Sequence, residues 1–367
     1  MVQNLRMSGF FILSGSEQVA THLRDGILQG RWSGALPGRQ RLAAELGVSG
    51  KLVEAALALL ERDGFLSSQG PRRRREIVMP EGVTMARKLR VAILAYEPSD
   101  RSAPDTVELL YELGAMGNVA KIASKTLIEL DHSVDRVARL VRETPADAWV
   151  IFAGSRDVLE WFAKQQLPTF AYAGRANGVQ IASIAPDRED AVRAAIRRLV
   201  EFGHRRIVLM VREERRKPEP GLTERLFLRE LEAHGIPTGA YNLPDWEGNV
   251  EGYHRGLESL FQVTPPTALF ISEASFVMAT LQFCLARGLR VPEHLSLLCG
   301  DPDPAFAWCQ PSIFHIHWDH RPIVRRIVRW VRNVSQGKPD LRKSWSTARL
   351  VDGETIGPVP RSTAVSV

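Results

Sequence analysis

The sequence of 367 residues predicts a winged helix-turn-helix at the N-terminus, followed by an α/β domain of two lobes. Three observations support this fold class. A helix, a glycine-centred turn and a second helix are predicted over residues 39–51, the excess of basic residues lies within the first ninety positions, and short apolar runs alternate with helical segments from residue 91 onwards. Alternating strand and helix patterns indicate a parallel sheet with helices on both faces.

The helix-turn-helix is predicted from apolar spacing and from two residues at the turn. Gly47 supplies a backbone conformation that a side chain would resist, and Ser49 is placed to cap the next helix. Apolar residues recur at helical spacing on both sides of this turn, which gives each helix one buried face. These residues are Val19, Leu23, Ile27, Leu42, Leu46, Val53, Leu57 and Leu60.

A short hairpin is predicted after the third helix. Gly64 ends that helix, and residues 65–67 can pair with residues 76–78 around the segment 69–75, which reads QGPRRRR. A hairpin in this place is the wing of a winged helix. Four arginines at its tip are expected to lie against DNA phosphates, although a charge run can also be only a solvated face.

The distribution of charge supports a DNA-binding role for the N-terminal part. Residues 1–90 hold 14 Lys and Arg against 8 Asp and Glu, whereas residues 91–367 hold 34 of each sign. The whole excess of +6 therefore lies where the helix-turn-helix is predicted, as a nucleic-acid contact surface requires. The predicted DNA contacts are Arg39, Gln40, Arg41, Ser49, Gly50, Lys51, Arg72, Arg73, Arg74 and Arg75.

Cysteine usage and hydropathy predict a reduced, cytoplasmic protein. The three cysteines form no CxxC pair, so neither a zinc site nor a disulfide framework is indicated. The early apolar run at residues 10–13 is too short for a signal-peptide core, and no run approaches the roughly 20 residues of a membrane span. We therefore expect no membrane association.

The chain after the hairpin divides into a linker and a long α/β region. Residues 79–88 carry Pro, Gly and mixed charges without an apolar period, which is typical of a linker. Residues 89–352 are predicted to form a ligand-binding and dimerisation domain, residues 1–78 the winged helix, and residues 353–367 a C-terminal tail. The predicted strands lie within residues 91–96, 119–123, 149–153, 168–171, 207–211, 268–271 and 295–299.

Two families resemble this chain. Residues 16–78, which include LPGRQRLAAELGVSGKLVEAAL, resemble the winged-helix domain of the GntR family of bacterial transcription regulators. Residues 89–352 resemble the effector domain of the LacI/GalR family, itself similar to periplasmic sugar-binding proteins. The matching segments there are GHRRI at residues 203–207, PTALF at 266–270, and GLRVPEHLS at 288–296, which leads to Gly300 and Asp301.

The resemblance implies DNA contacts and a ligand site, with departures in both. Gln40, Gly50 and Leu52 stand where GntR domains usually carry an arginine, an arginine and a threonine. Either the protein reads an unusual operator or its sequence selectivity is weakened. In the effector domain, Asp301 matches the family's ligand-binding aspartate, whereas Glu273 replaces an asparagine.

Further ligand contacts are expected at the carboxyl ends of the strands and in loops that face the cleft. By the resemblance, Trp318 stands where a glutamine often faces the ligand, and Arg225 is the nearest candidate for the family's pocket arginine. Two acidic acceptors favour a neutral polyol over an anion unless an arginine compensates. The predicted ligand residues are Glu97, Asp100, Arg101, Arg175, Arg225, Glu273, Asp301 and Trp318.

An enzymatic role has little support in the sequence. Strand alternation places His315 and His317 on one face, which suits a metal site, but the same alternation turns them away from Trp318. No GxSxG, HExxH, GxGxxG or phosphate-loop motif occurs. We therefore predict no catalytic residues, no metal and no cofactor.

The sequence thus predicts a homodimeric transcription regulator, expected to be a repressor, that binds a double-stranded DNA operator and senses a small polar effector such as a sugar. Two alternatives stay open. One is a cytoplasmic solute-binding protein with a vestigial DNA-binding domain, and the other is a sugar-acting enzyme with His317 or Glu273 as acid or base.

Overall fold

The structure is a computed structural model that describes residues 14–28, 30–68, 70, 74–80 and 87–360. The chain divides into two compact units. The first comprises Met1–Thr126, Ala138–Val150 and Ile327–Asp340, and the second comprises Leu127–Val137, Ile151–Arg326 and Leu341–Val367. Among the described residues, no helix is long and apolar enough to span a membrane.

The helices of the described residues follow the order of the chain. They are α1 (Gly15–Leu28), α2 (Arg39–Leu46), α3 (Gly50–Arg62), α4 (Pro104–Ala115), α5 (Val134–Glu143), α6 (Arg156–Lys164), α7 (Glu189–Glu201), α8 (Glu213–Arg216), α9 (Leu222–Ala233), α10 (Val250–Val263), α11 (Ala274–Ala286) and α12 (Arg321–Ser335). Two short 3-10 helices occupy Pro98–Ser102 and Pro304–Trp308.

The strands are mostly short. They are β1 (Leu66–Ser67), β2 (Glu76–Ile77), β3 (Arg90–Leu94), β4 (Val119–Ile122), β5 (Ala148–Phe152), β6 (Thr169–Tyr172), β7 (Ala182–Asp187), β8 (Ile207–Met210), β9 (Ala268–Ile271), β10 (Ser296–Cys299), β11 (Phe314–Trp318) and β12 (Lys343–Val351).

The helix-turn-helix and its wing form as the sequence predicts. Gly47 has φ +63° at the end of α2, and the Ser49 side chain accepts a hydrogen bond from the Leu52 backbone N–H at the start of α3. Strands β1 and β2 pair antiparallel. The apolar stripes of α1, α2 and α3 pack into one core, so this part of the chain buries its own hydrophobic faces.

The second unit contains most of the α/β fold. Its strand order is β6-β7-β12-β11-β10-β9-β8, and the pairs are parallel except for β11 with β12. The first unit has the order β4-β3-β5, and the residues of β5 are divided between the units. The sequence prediction missed β7 and β12, whose polar and charged residues interrupt the apolar pattern.

The folded chain extends into the predicted C-terminal tail, because residues 353–360 pack within the second unit. The Leu297 backbone N–H donates to the Thr355 carbonyl, and Thr355 itself is fully buried. This segment therefore belongs to the folded domain. Residues 361–367 of the predicted tail lie outside the described residues.

A buried histidine holds this C-terminal segment. His204 is fully buried, with Nε2 2.9 Å from the Gly357 carbonyl oxygen and Nδ1 2.9 Å from the Thr267 hydroxyl. A carbonyl can only accept, so Nε2 carries the proton and Nδ1 accepts from Thr267. Burial lowers the pKa of His204, although the hydrogen bond to Gly357 acts in the opposite direction.

The sequence allows either a core or an interface role for the apolar stripe of α12, which consists of Ile323, Ile327, Val328 and Val331. Ile323, Ile327 and Val331 on this helix are all buried. Val328 is half-buried, so most of this stripe belongs to the core.

We predict that His204 makes the protein less stable in acid. Its folded-state pKa lies below the unfolded value of about 6.5, so the stabilisation is present above that unfolded value and is lost as the pH falls from there through the folded-state pKa. The unfolding temperature of the native chain should therefore fall more between pH 7 and pH 5 than that of His204→Gln. His254→Gln, at a half-buried site on α10, serves as a control. An equal fall in the native and His204→Gln chains would contradict the prediction.

Candidate DNA interface and ligand site

The predicted DNA-contacting side chains of the helix-turn-helix lie at two helix N-termini. Arg39, Gln40 and Arg41 form the exposed first turn of α2, and Gly50 and Lys51 form the first turn of α3. Helix N-termini carry partial positive charge and free N–H groups, which favour phosphate.

Helices α2 and α3 are close to each other at these ends. The Arg39 Nε lies 3.7 Å from the position that a Cβ would take on Gly50. A glycine at residue 50 therefore leaves space beside the Arg39 guanidinium, and a side chain there would meet it at ordinary contact distance. The Ser49 hydroxyl oxygen lies 3.3 Å from the Leu52 backbone nitrogen, so this predicted DNA contact also caps α3.

Arg75 differs from the expectation that all four wing arginines face DNA. Its Nε lies 2.5 Å from a Glu61 carboxylate oxygen, and its Nη2 lies 2.5 Å from a Glu54 oxygen. Its side chain is only 23% exposed. Arg75 thus joins the wing to α3, because two acidic residues on that helix hold its guanidinium.

The remaining wing arginines fall into two groups. Arg72 and Arg73 lie outside the described residues. Arg74 is exposed and forms no salt bridge with any described residue, so its guanidinium is available to a phosphate.

The predicted ligand residues of the first unit are engaged in a local turn. The Asp100 carboxylate accepts a hydrogen bond from the Glu97 backbone N–H at 3.0 Å, and burial raises the pKa of Asp100 to about 6. The Glu97 carboxylate accepts from the Ser99 hydroxyl at 2.5 Å, and Arg101 donates to the Ser124 carbonyl at 3.1 Å. These contacts stabilise the 3-10 turn that follows β3.

Two predicted ligand arginines in the second unit bind one loop. Arg175 donates to the carbonyls of Arg215 and Glu219 at 2.9 and 2.8 Å, and Arg225 donates to the Pro220 carbonyl. Both guanidinium groups therefore hold the segment between α8 and α9.

Glu273 is paired with an arginine that the sequence analysis did not select. Its carboxylate lies 2.6 Å from Arg212 Nε, and the side chains of Glu273 and Arg212 are 14% and 11% exposed. Burial raises the pKa of Glu273 to about 7, and the charge of Arg212 opposes that rise. Its negative charge is therefore compensated from within the site.

Asp301 and Trp318 are brought together through Arg188. The Arg188 guanidinium lies 3.0 Å from an Asp301 carboxylate oxygen and 4.2 Å from the centroid of the Trp318 ring. A guanidinium over an aromatic face is favourable because the ring face is electronegative. A ligand that contacts Asp301 and Trp318 would therefore share them with Arg188.

A cavity opens beside Arg188 at the carboxyl ends of β9 and β10. Its empty volume is about 230 Å³, including open solvent at the mouth. Its lining consists of Arg188, Val192, Leu209, Arg215, Thr223, Glu224, Phe270, Ser272, Gly300 and Ile316.

Sequence reasoning missed three of the charged residues at this site, Arg188, Arg212 and Arg215. Arg188 follows β7, a strand that was not predicted, so no rule pointed to it. Arg212 directly follows the predicted run 207–211. The rule that side chains matter at strand ends would have found it.

The histidines near Trp318 do not assemble into a metal site. The rings of His315 and His317 lie edge to face with centroids 6.1 Å apart. Within the ranges that the structure describes, no group of three His, Cys, Asp or Glu side chains is arranged to hold a metal ion.

Two family models match this chain. Residues 15–73 match the bacterial regulatory proteins of the gntR family, and residues 196–356 match the periplasmic binding protein-like domain. The chain joins a GntR-family winged helix to a periplasmic-binding-protein-like domain. The two matches confirm the predicted fold class of each part. Hereafter the winged helix is the GntR domain, and the α/β region from residue 89 onwards is the effector domain.

One curated relative is similar to part of the chain. An uncharacterized HTH-type transcriptional regulator in the aml 5′ region of Streptomyces limosus is 30% identical over 132 residues, which cover 35% of this chain. The chain thus spans 37% of the length of that relative.

Solved structures share the fold at low identity. A transcriptional regulator CelR–cellobiose complex is 17% identical with a TM-score of 0.60, and the match covers 87% of this chain and 100% of that one. The lac repressor dimer bound to operator and anti-inducer is 17% identical with a TM-score of 0.58, covering 74% and 95%. A LacI family regulator from Enterococcus faecium with bound ribose is 15% identical with a TM-score of 0.58, covering 73% and 99%.

These relatives and neighbours are transcription regulators rather than enzymes. The finding agrees with the sequence-based expectation that the protein is not an enzyme.

We predict different effects for the two adjacent wing arginines. Arg75→Ala should lower the unfolding temperature of the GntR domain, because it removes two ion pairs worth about 1 kcal/mol together. Arg74→Ala should leave that temperature unchanged and lower the slope of log K against log salt by about 1 for duplex DNA. Thermal unfolding and fluorescence anisotropy with a labelled duplex measure the two effects. A lower unfolding temperature in Arg74→Ala would show that Arg74 is also structural.

Proposed function

We propose that this protein is a DNA-binding transcription regulator, acting as a repressor, whose effector domain responds to a small polar ligand of the sugar class. The joining of a GntR domain to a periplasmic-binding-protein-like domain in one chain is the observation that carries the proposal. A DNA-binding domain attached to a ligand-binding fold allows one ligand to change operator affinity, since the two binding free energies are coupled.

The GntR domain supports DNA binding by charge and by shape. The excess of basic residues lies in the first ninety positions, and Arg39, Arg41 and Lys51 stand exposed at the starts of α2 and α3. Arg74 on the wing adds a cation without an acidic partner among the described residues. Phosphate contacts supply affinity, and side chains at the start of α3, the second helix of the helix-turn-helix, read base edges.

The effector domain supports ligand binding through the cavity beside Arg188 and through the polar groups around it. The ligands that two neighbouring structures hold, cellobiose and ribose, are sugars. A hydroxyl-rich ligand suits a site that combines carboxylates, guanidinium groups and an aromatic ring.

A homodimer is part of the proposal, because one winged helix offers little surface for tight binding. Helix α11 supports a dimer contact, since it is rich in apolar residues and its Met278 and Leu285 are 62% and 81% exposed. These two residues are seven positions apart and so lie on the same side of the helix.

The proposal is tested by selecting duplexes from a random DNA library with the full chain. We expect enrichment of a two-fold symmetric sequence with half-sites roughly 34 Å apart, or a multiple of this distance. Lys51→Ala should change the base preference of that site, while Arg74→Ala should weaken binding to all sequences alike. Failure of the native chain to enrich any sequence would refute a role as a sequence-specific regulator.

The proposed dimer predicts a definite mass. Sedimentation equilibrium of the full chain at micromolar concentration should give twice 41.0 kDa, and Met278→Lys with Leu285→Lys should shift the mass to that of a monomer. Leu341→Lys, which changes an exposed leucine outside α11, serves as the control. A native chain that sediments as a monomer would contradict the prediction.

A further inference from the structure

The first residue of α3 is a glycine, and the Arg39 side chain lies beside it. Beyond the neighbouring residues of the chain, the atoms nearest to a Cβ built on Gly50 would be Arg39 Nε at 3.7 Å and Arg39 Cδ at 3.9 Å. Arg39 belongs to α2, but its guanidinium therefore lies at the surface of the α3 N-terminus. A side chain larger than a methyl group at residue 50 would compete with the guanidinium for this space.

This end of α3 is the part of a helix-turn-helix that reads DNA. Helix α3 is the second helix of the motif, and the N-terminal residues of that helix meet base edges in the major groove. Gly50 has no side chain, so it offers only its backbone to the groove. The Arg39 guanidinium is placed to contact a base that Gly50 itself cannot reach.

The Arg39 guanidinium has a partner that orients it, and it keeps its hydrogen-bond donors. Its Nη1 lies 4.0 Å from Glu54 Oε2, and the side chains of Arg39 and Glu54 are 53% and 44% exposed. This distance is that of an ion pair and is too long for a hydrogen bond. The Arg39 side chain forms no hydrogen bond with any described residue. Its five N–H groups are therefore available to DNA.

Glu54 is itself held in place by the wing. It lies four residues after Gly50 and so on the same side of α3. Its Oε1 lies 2.5 Å from Arg75 Nη2, and Arg75 Nε lies 2.5 Å from a Glu61 oxygen. One oxygen of the Glu54 carboxylate is thus fixed by the wing, and the other faces Arg39. A side chain that is ordered before binding loses less entropy when it binds.

We propose that Arg39 reads a guanine in each half-site of the operator, and that Glu54 is its positioning residue. Two N–H groups of the guanidinium donate to O6 and N7 of the guanine, which is the commonest base-specific contact in the major groove. This inference rests on the proposed function and deepens it, because it assigns the reading of one base to a residue of α2. It also favours an unusual operator over weakened selectivity, the two alternatives that the sequence left open.

The test distinguishes a base contact from a phosphate contact. Lysine has the charge of arginine but lacks its planar fork, so Arg39→Lys should keep the salt dependence of DNA binding and lose the base preference. Duplexes that the native full chain selects from a random library should contain a guanine in each half-site whose enrichment disappears with Arg39→Lys.

Fluorescence anisotropy with labelled duplexes measures the size of the effect. Replacement of the selected guanine by adenine should weaken binding of the native chain about tenfold, and binding of Arg39→Lys by less than about twofold. Arg62→Lys is the matched control. Arg62 is 74% exposed in the last turn of α3, far from Gly50, so this variant should keep the native preference.

Two further variants test how Arg39 is positioned. Gly50→Leu should push the guanidinium away from α3 and reduce the guanine preference without lowering the unfolding temperature, because leucine favours a helix more than glycine does. Glu54→Gln removes a negative charge near phosphate, so it should raise the affinity for all duplexes but narrow the difference between the guanine and adenine duplexes. A Glu54 that only held the wing would change the unfolding temperature and leave this difference as it is.

The outcomes separate this inference from the proposed function. A native guanine preference in Arg39→Lys, or an equal loss of preference in Arg62→Lys, overturns the inference, while the regulator function stands because the native chain still selects a sequence. A selected sequence without such a guanine has the same meaning. A native chain that selects no sequence overturns both. An unchanged preference in Glu54→Gln overturns the positioning role of Glu54.

Discussion

A carboxylate that is buried at the end of a strand needs a cation beside it, and the effector domain is organised around this constraint. Removal of one partner would leave the other charge buried and uncompensated, which costs far more than an exposed ion pair contributes. Each of these side chains is therefore held in place by its oppositely charged partner, and a ligand must bind among charges that are already paired. Asp301 after β10 is paired with Arg188 and Glu273 after β9 with Arg212, and Glu224 in the first turn of α9 is paired in the same way with Arg215.

The same constraint operates in the GntR domain at a more exposed site. Glu54 lies on α3, the second helix of the helix-turn-helix, where a carboxylate would repel phosphate. Arg75 lies 2.5 Å from it, and Arg39 lies 4.0 Å from it. Two arginines thus offset one unfavourable charge, and the net basicity of the domain overstates the number of cations that are free to contact DNA.

Local patterns predicted much of the fold. The turn at Gly47, the cap at Ser49 and the hairpin of the wing depend on neighbouring residues, and the structure has all three. Strands β7 and β12 were not predicted, because they are held by pairing with each other rather than marked by an apolar run of their own. Non-local pairing leaves little trace in a single sequence. The candidate ligand site was predicted only in outline for a related reason, since Asp301 and Glu273 follow apolar strands but Arg188 follows β7, which was not predicted.

The attachment of residues 353–360 to His204 has a practical consequence for anyone who shortens this protein. A stop codon or a protease cut before Thr355 would remove the Gly357 carbonyl, which accepts from His204, and the Thr355 hydroxyl, which accepts from the Phe314 backbone N–H in β11. The Nε2 atom of the imidazole would then keep only the Ser296 hydroxyl, 3.0 Å away, and β11 would lose a contact at its first residue. An affinity tag placed after residue 360 keeps the hydrogen bonds of Thr355 and Gly357, whereas one that replaces residues 353–367 removes them.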